Sequence, residues 1–181
     1  MNKQQIEAGM SLILKGLEVD LTDHNFARTP ERYAKFLEEL YAPPDTSWPV
    51  FEEKYTDIVV MRGHVFWTLC PHHMIPVKLQ ATVAYLPGGN VIGASKLIRM
   101  IHDVNRYPMT QEKLTNEIAR KVRALTELTS LGEAVLLCGE HGCFQMRGVK
   151  SHEASMVTYR FTGRFQEDGE LQHRFMELAK L

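Results

Sequence analysis

The chain has 181 residues, of which 44% are hydrophobic and 24% are charged, and its net charge is −1. These values are typical of a compact domain with a buried core. The near-neutral charge argues against bulk electrostatic binding to nucleic acid or a membrane surface. The sequence has no apolar run of membrane-spanning length and no signal-peptide pattern. We therefore expect a cytoplasmic protein without nucleic-acid or membrane partners.

Helical periodicity predicts an N-terminal helical segment, residues 1–50. In its first helix, apolar residues recur at Ile6, Met10, Ile13 and Leu17. A second helix is predicted to begin at Thr29-Pro30, because threonine is a good N-cap and proline is tolerated at the first helical position. Three prolines in Ala42–Pro49 predict the loop that follows.

The remaining residues, 51–181, are predicted to form a single compact catalytic domain. Strands are predicted over Asp57–Met61, His64–Leu69, Val77–Leu86 and Ser155–Phe165, with Ala134–Cys138 and His141–Met146 forming one interrupted strand or two. Helices are predicted over Ser95–Val104 and Thr110–Leu128, and a last one carries Leu171, Phe175, Leu178 and Leu181. This order predicts an α+β fold with a mainly antiparallel sheet.

Two short motifs predict a metal site. Cys70 and His73 are three residues apart in a predicted tight turn, where both can reach one ion and His72 is left beside it. Further along, His141 and Cys143 are two residues apart, a spacing that puts both on one face of a strand. The third cysteine, Cys138, is expected on the opposite face, in the core.

Two sulfurs and one nitrogen, from Cys70, Cys143 and His73, suit Zn²⁺ and leave a fourth position for water. Such a water can become a nucleophile near neutral pH, with His72 and His141 available for proton transfer. The spacing alone equally allows a closed structural site that uses four ligands: Cys70, His72 or His73, His141 and Cys143.

Basic residues near a predicted helix start form a candidate anion site. Ser95 lies where free N–H groups and the positive end of the helix dipole favour an anion. Lys96 and Arg99 share one face of that helix, and Arg147 and Arg32 are further candidates. Taken alone, each of these cations is better explained as a solvated surface charge.

Gln111-Glu112 opens the long predicted helix. A carboxylate there can accept two parallel hydrogen bonds from guanine N1–H and its exocyclic amine. An acidic residue in a first helical turn also complements the helix dipole and needs no ligand for that.

Taken together in order, these motifs resemble the GTP cyclohydrolase I family. They are Thr29-Pro30-Glu31-Arg32, Cys70-Pro71-His72-His73, Ala84-Tyr85-Leu86-Pro87, Ile92-Gly93-Ala94-Ser95-Lys96, Gln111-Glu112-Lys113-Leu114-Thr115, His141-Gly142-Cys143 and Arg147-Gly148. No single motif carries the resemblance, which depends on their common order and matching gaps from about residue 22 to the C-terminus.

The resemblance implies a hydrolase that opens the imidazole ring of GTP. Zinc on Cys70, His73 and Cys143 would activate the water that attacks C8, and C8 would be released as formate. The other product would be 7,8-dihydroneopterin triphosphate, which feeds folate, biopterin or deazaguanine pathways. The remaining implied roles are proton transfer by His141 with His72, ribose rearrangement assisted by Ser95, triphosphate binding by Lys96, Arg99, Arg147 and Arg32, and guanine recognition by Gln111 and Glu112.

The resemblance also implies a tunnelling fold, in which a four-stranded antiparallel sheet carries helices on one side. Sheets of five subunits would join into a barrel, and two such rings would stack as a homodecamer with active sites between subunits.

Departures from the family pattern at Pro71, at Ala94 and over residues 150–160 leave two alternatives open. One is a diverged enzyme of the same fold that acts on another purine nucleotide or a pterin. The other is a non-catalytic paralogue stabilised by zinc.

Overall fold

The computed structural model describes residues 1–44 and 50–180, and the chain divides into two compact units, Met1–Ala42 and Pro43–Leu181. The first unit holds α1 (Lys3–Gly16) and α2 (Thr29–Leu40). The Asn2 side chain caps α1. Pro30 lies in the first turn of α2 as predicted, but Arg28 occupies the N-cap position and Thr29 is already helical, so the predicted N-cap role of Thr29 is wrong. Leu14 is buried, whereas Ile13 and Leu17 of the predicted apolar stripe are exposed.

A four-stranded antiparallel sheet organises the second unit, as predicted. Its strands lie in the order β2-β3-β5-β6, where β2 is Val59–Leu69, β3 is Pro76–Leu86, β5 is Gly132–His141 and β6 is Met156–Phe161. The two strands predicted before and after Gly63 form one strand, β2, interrupted by a bulge between Met61 and His64. A separate two-stranded sheet pairs β1 (Val50–Glu52) with β4 (Asn90–Ile92).

Two consecutive helices pack on one face of this sheet. They are α3 (Ala94–Val104) and α4 (Gln111–Leu125), and their buried residues join those of β3 in the main core. Because side chains alternate along a strand, Ala84 and Leu86 of β3 point to the other face. There they pack against Phe165 and Phe175, from α6 (Arg164–Glu167) and α7 (Gly169–Lys180). The expectation that helices lie on one side therefore holds for α3 and α4, and the C-terminal helices add a second layer.

The strand predicted over His141–Met146 is wrong. β5 ends at His141, and Gly142–Gln145 form a short helix, α5. A β-carbon on Gly142 would lie 2.6 Å from the Ile75 side chain and 3.0 Å from the Pro76 carbonyl oxygen. Glycine at this position therefore lets the chain turn closely against the segment between β2 and β3.

Three further expectations concern single residues or segments. Cys138 lines a surface cavity with Gln80 and Glu140 and is therefore only half-buried, so its assignment to the core was wrong. Leu181 and residues 45–49 of the predicted loop lie outside the described residues. Among the residues that are described, no helix is both long and apolar enough to span a membrane.

Candidate active site

The pairing of strands brings the two cysteine–histidine motifs together. Leu69 at the end of β2 pairs with Pro76 at the start of β3, so residues 70–75 form the turn between them. Val77, next along β3, pairs with His141 at the end of β5. The turn and the segment after β5 consequently lie at the same end of the sheet.

The turn itself is held by main-chain hydrogen bonds. The amide of Cys70 donates to the Ile75 carbonyl at 2.9 Å, and the amide of Met74 donates to the Cys70 carbonyl at 2.8 Å. Met74 has a positive φ of 54°, which reverses the chain direction. Inside this turn, Nδ1 of His73 lies 3.7 Å from Sγ of Cys70, and Nδ1 of His72 lies 3.8 Å from it.

Three possible metal ligands converge here. One ligand atom each from Cys70, His73 and Cys143 lies within 4.8 Å of the others, and among the described residues this group has no fourth member. Cys70 is buried at the edge of the main core, whereas His73 is exposed. The predicted convergence of these three residues is therefore present, and the cluster is open to solvent on the side of His73.

The chemistry of this donor set fits a cation. Burial and the adjacent Cys70 thiol both raise the pKa of Cys143, because two thiolates held together in a partly buried place repel each other. A divalent cation removes this penalty, since a coordinating thiol loses its proton. Two sulfurs and one imidazole nitrogen form a set typical of zinc.

His141 is held beside the cluster by Gln111, the first residue of α4. Nε2 of His141 lies 2.8 Å from Oε1 of Gln111, and the His141 ring stacks on Phe144 with centroids 5.5 Å apart. Burial lowers the pKa of His141, and the negative charge of Glu112 opposes part of this shift. Glu112, exposed in the first turn of α4, thus lies within electrostatic reach of the imidazole.

Sequence reasoning missed three residues that support this arrangement. Thr115 and Thr158 form hydrogen bonds with Gln111, and Gly139 leaves room for its side chain. A β-carbon on Gly139 would collide with Oε1 of Gln111 and would lie 2.9 Å from Nε2 of His141. A glycine inside a strand is a recognised signal of close approach by another group.

The predicted anion-binding residues lie on different elements. Arg147 lies at the cluster, where its Nη1 donates to Nε2 of His73 at 2.8 Å. Ser95 and Lys96 stand in the first turn of α3 and Arg99 lies one turn further along, opposite the buried side formed by Leu97, Met100 and Ile101. Arg32 is exposed on α2 in the first unit.

Comparison with known proteins identifies the family. The family model for GTP cyclohydrolase I matches residues 6–180. The chain belongs to the GTP cyclohydrolase I family. It is 37% identical over 180 residues to GTP cyclohydrolase 1 of Sulfurihydrogenibium sp. (strain YO3AOP1), covering 98% of this chain and 95% of that relative. Identity to the protein of the same name from Clostridium perfringens (strain 13 / Type A) is 34% over 186 residues, covering all of both chains.

The solved structure of the archaeosine synthase QueF-Like in its apo form overlaps 61% of this chain and 97% of its own, with 17% identity and a TM-score of 0.48. Membership of the GTP cyclohydrolase I family makes the chain an enzyme, a hydrolase. The cysteine–histidine cluster is its candidate metal site.

Proposed function

We propose that this enzyme is zinc-dependent and opens the imidazole ring of GTP. In the overall reaction GTP and one water yield formate, from C8, and 7,8-dihydroneopterin triphosphate. The observation that carries the proposal is the convergence of Cys70, His73 and Cys143 beside an imidazole held by Gln111. Zn²⁺ on these three ligands would supply a Lewis acid that lowers the pKa of water at an open coordination position.

Proton transfer is assigned to the two histidines that are not in the ligand group. His141 would exchange protons with a purine nitrogen during opening of the C8–N bond, and its lowered pKa favours the neutral ring, which can accept a proton. His72 lies next to the Cys70 sulfur and would assist. Ser95 would assist the later rearrangement of the ribose.

The triphosphate would be held by Arg147, Lys96, Arg99 and Arg32. Arg147 is supported by its contact with His73, which puts a guanidinium next to the metal site. Lys96 and Arg99 are supported by the start of α3, where the helix dipole adds to their charge. Arg32, on α2, remains a candidate because the family resemblance implies that it binds the triphosphate.

Guanine recognition is assigned to Glu112, the residue that follows Gln111 in the Gln111-Glu112 motif. Replacing Glu112 with glutamine is expected to lower kcat/KM for GTP by about 10- to 100-fold, because a charge-assisted pair of hydrogen bonds is lost. Zinc content should not change, since Glu112 is not among the converging ligands. Steady-state kinetics and metal analysis of the purified variant measure both quantities.

Glu117→Gln is the matched control, because it makes the same change one to two turns along α4, where the carboxylate pairs with Arg120. That variant should keep the kinetics of the parent enzyme. If Glu112→Gln also used GTP with unchanged kcat/KM, Glu112 would not be the residue that reads the base.

We also propose that the chain forms a homo-oligomer. The family resemblance implies two stacked pentamers. Within the described residues, β2 and β6 each pair on one side only and are the edges of the sheet. Both edges expose large apolar side chains, at Val65 and Trp67 on β2 and at Val157 and Tyr159 on β6. Joined edges would satisfy the free backbone groups and bury these side chains.

Incubation of the zinc-loaded protein with GTP tests the proposed reaction. Formate and the fluorescent oxidised pterin should appear in equal amounts, and zinc removal should stop both. Parallel incubations with other purine triphosphates address the diverged-enzyme alternative. Formate from another purine but not from GTP would overturn the substrate assignment, and no formate from any of them would overturn the proposed ring opening.

A further inference from the structure

The side chain of Gln111 lies at the centre of a closed hydrogen-bond network. Only 3% of its surface is exposed. Its Nε2 lies 3.1 Å from the Leu137 carbonyl, 3.0 Å from the Met156 carbonyl and 3.1 Å from Oγ1 of Thr158. Its Oε1 faces Nε2 of His141. The amide therefore connects α4, β5, β6 and the imidazole.

The donors and acceptors in this network have one consistent direction. The Thr115 hydroxyl donates to the Gln111 carbonyl at 2.7 Å, so its proton is used there. The Thr158 hydroxyl, 2.7 Å from Oγ1 of Thr115, must then donate to it. Oγ1 of Thr158 is left as an acceptor, and the two main-chain carbonyls are acceptors by nature. All three neighbours of Gln111 Nε2 therefore require a donor, which fixes the orientation of the amide.

A fixed amide orientation determines which nitrogen of His141 carries the proton. Since Oε1 of Gln111 can only accept, Nε2 of His141 must be the donor. In the neutral ring the other nitrogen, Nδ1, then has a free lone pair. We propose that Gln111, held by Thr158 and Thr115, is a positioning residue that keeps His141 in the Nε2–H form and leaves Nδ1 to accept a proton from substrate.

This role differs from direct reading of guanine, which the family resemblance implies for Gln111. The Gln111 amide already has four hydrogen-bond neighbours inside the protein, and a base could reach it only by displacing them. The inference rests on the proposed function for its kinetic consequence. The structural part of the inference, that Nε2 of His141 carries the proton, does not depend on which substrate the enzyme uses.

Gln111→Met tests the kinetic consequence in the zinc-loaded enzyme, because methionine has a similar length but replaces the amide oxygen with a thioether sulfur, which is only a weak acceptor for His141. The expected result is a kcat at least about 10-fold lower, with KM for GTP within about 3-fold and unchanged zinc content. The preference for GTP over inosine triphosphate, which lacks the exocyclic amine, should also stay unchanged. A raised KM with normal kcat, or a lost preference, would show that Gln111 reads the base and would overturn the proposal.

Three further variants separate positioning from general damage to the fold. Gln172→Met removes an amide on α7 that also donates to a main-chain carbonyl, that of Phe165 at 2.7 Å, and should leave kcat unchanged. Thr158→Val should lower kcat in the same direction as Gln111→Met, and Thr158→Ser, which keeps the hydroxyl, should restore it. Equal loss in the valine and serine variants would contradict the network.

Nitrogen-15 NMR of histidine-labelled, zinc-loaded protein gives a readout that needs no turnover. The His141 signals, identified by their loss in His141→Gln, should show a proton on Nε2 in the parent enzyme and a mixture of forms in Gln111→Met. A proton on Nδ1 in the parent would overturn the proposal even if GTP is the substrate. The expected Nε2 signal in a protein that does not turn over GTP would overturn only the proposed reaction.

Discussion

Replacement of Cys143 with serine is expected to abolish zinc retention and turnover together. The change removes one of three converging ligands, and a serine hydroxyl does not replace a thiolate at neutral pH. The remaining pair, Cys70 and His73, comes from a single turn and can no longer tie that turn to the segment after β5. Metal analysis after dialysis against a weak chelator and the formate assay measure the two losses in the same preparation.

Cys138→Ser provides the matched control, since it makes the same chemical change five residues earlier in the chain. Cys138 is half-buried on the other face of β5 and lines a separate cavity with Gln80 and Glu140. Zinc content and turnover of this variant should equal those of the parent. Stoichiometric zinc and normal turnover in Cys143→Ser would remove Cys143 from the site, and with it the basis of the proposed mechanism.

Local sequence patterns were sufficient for the parts of the site that depend on local geometry. Cys70 and His73 converge because they are three residues apart in a turn, which the main-chain hydrogen bonds of Cys70 maintain. The start of α4 could also be predicted from the sequence, since the Thr110 side chain caps the helix by accepting a hydrogen bond from the Lys113 amide. Spacing of this kind needs no knowledge of the rest of the fold.

The position of Cys143 was predicted correctly from an incorrect local structure. A continuous strand would have put His141 and Cys143 on one face, whereas the strand ends at His141 and Cys143 lies in α5. What brings the thiol to Cys70 is the close approach of Gly142 to Ile75. The spacing of residues in the sequence does not reveal this contact, because it depends on the pairing of β3 with β5.

The network around Gln111 could not be predicted from the sequence. Its partners are 26 to 47 residues away from Gln111, on two strands whose register is set by the whole sheet. The family resemblance implies that Gln111 contacts guanine, whereas the proposal that it positions His141 depends on these distant partners. The one available signal was Gly139, whose missing side chain leaves room for the amide.

Loss of the imidazole in His141→Ala is expected to lower turnover of GTP by about 10²-fold or more while leaving zinc in place, because positioned acid–base groups contribute this much. His141 lies outside the group of converging ligands, so its loss should not release the metal. His141→Gln should be equally inactive. The new amide can still donate a hydrogen bond to Gln111, but an amide cannot carry a proton to and from the substrate. His173→Ala, on the exposed side of α7, is the control and should retain full activity.

The combination of metal content and rate decides what His141 does. Zinc loss in His141→Ala would make His141 a ligand and would favour the closed four-ligand site that the spacing also allowed. Retained zinc with normal turnover would assign proton transfer to another group, with His72 the nearest candidate because its Nδ1 lies 3.8 Å from the Cys70 sulfur. Retained zinc with a large loss of rate is the result that a histidine bound to Gln111, and not to the metal, requires.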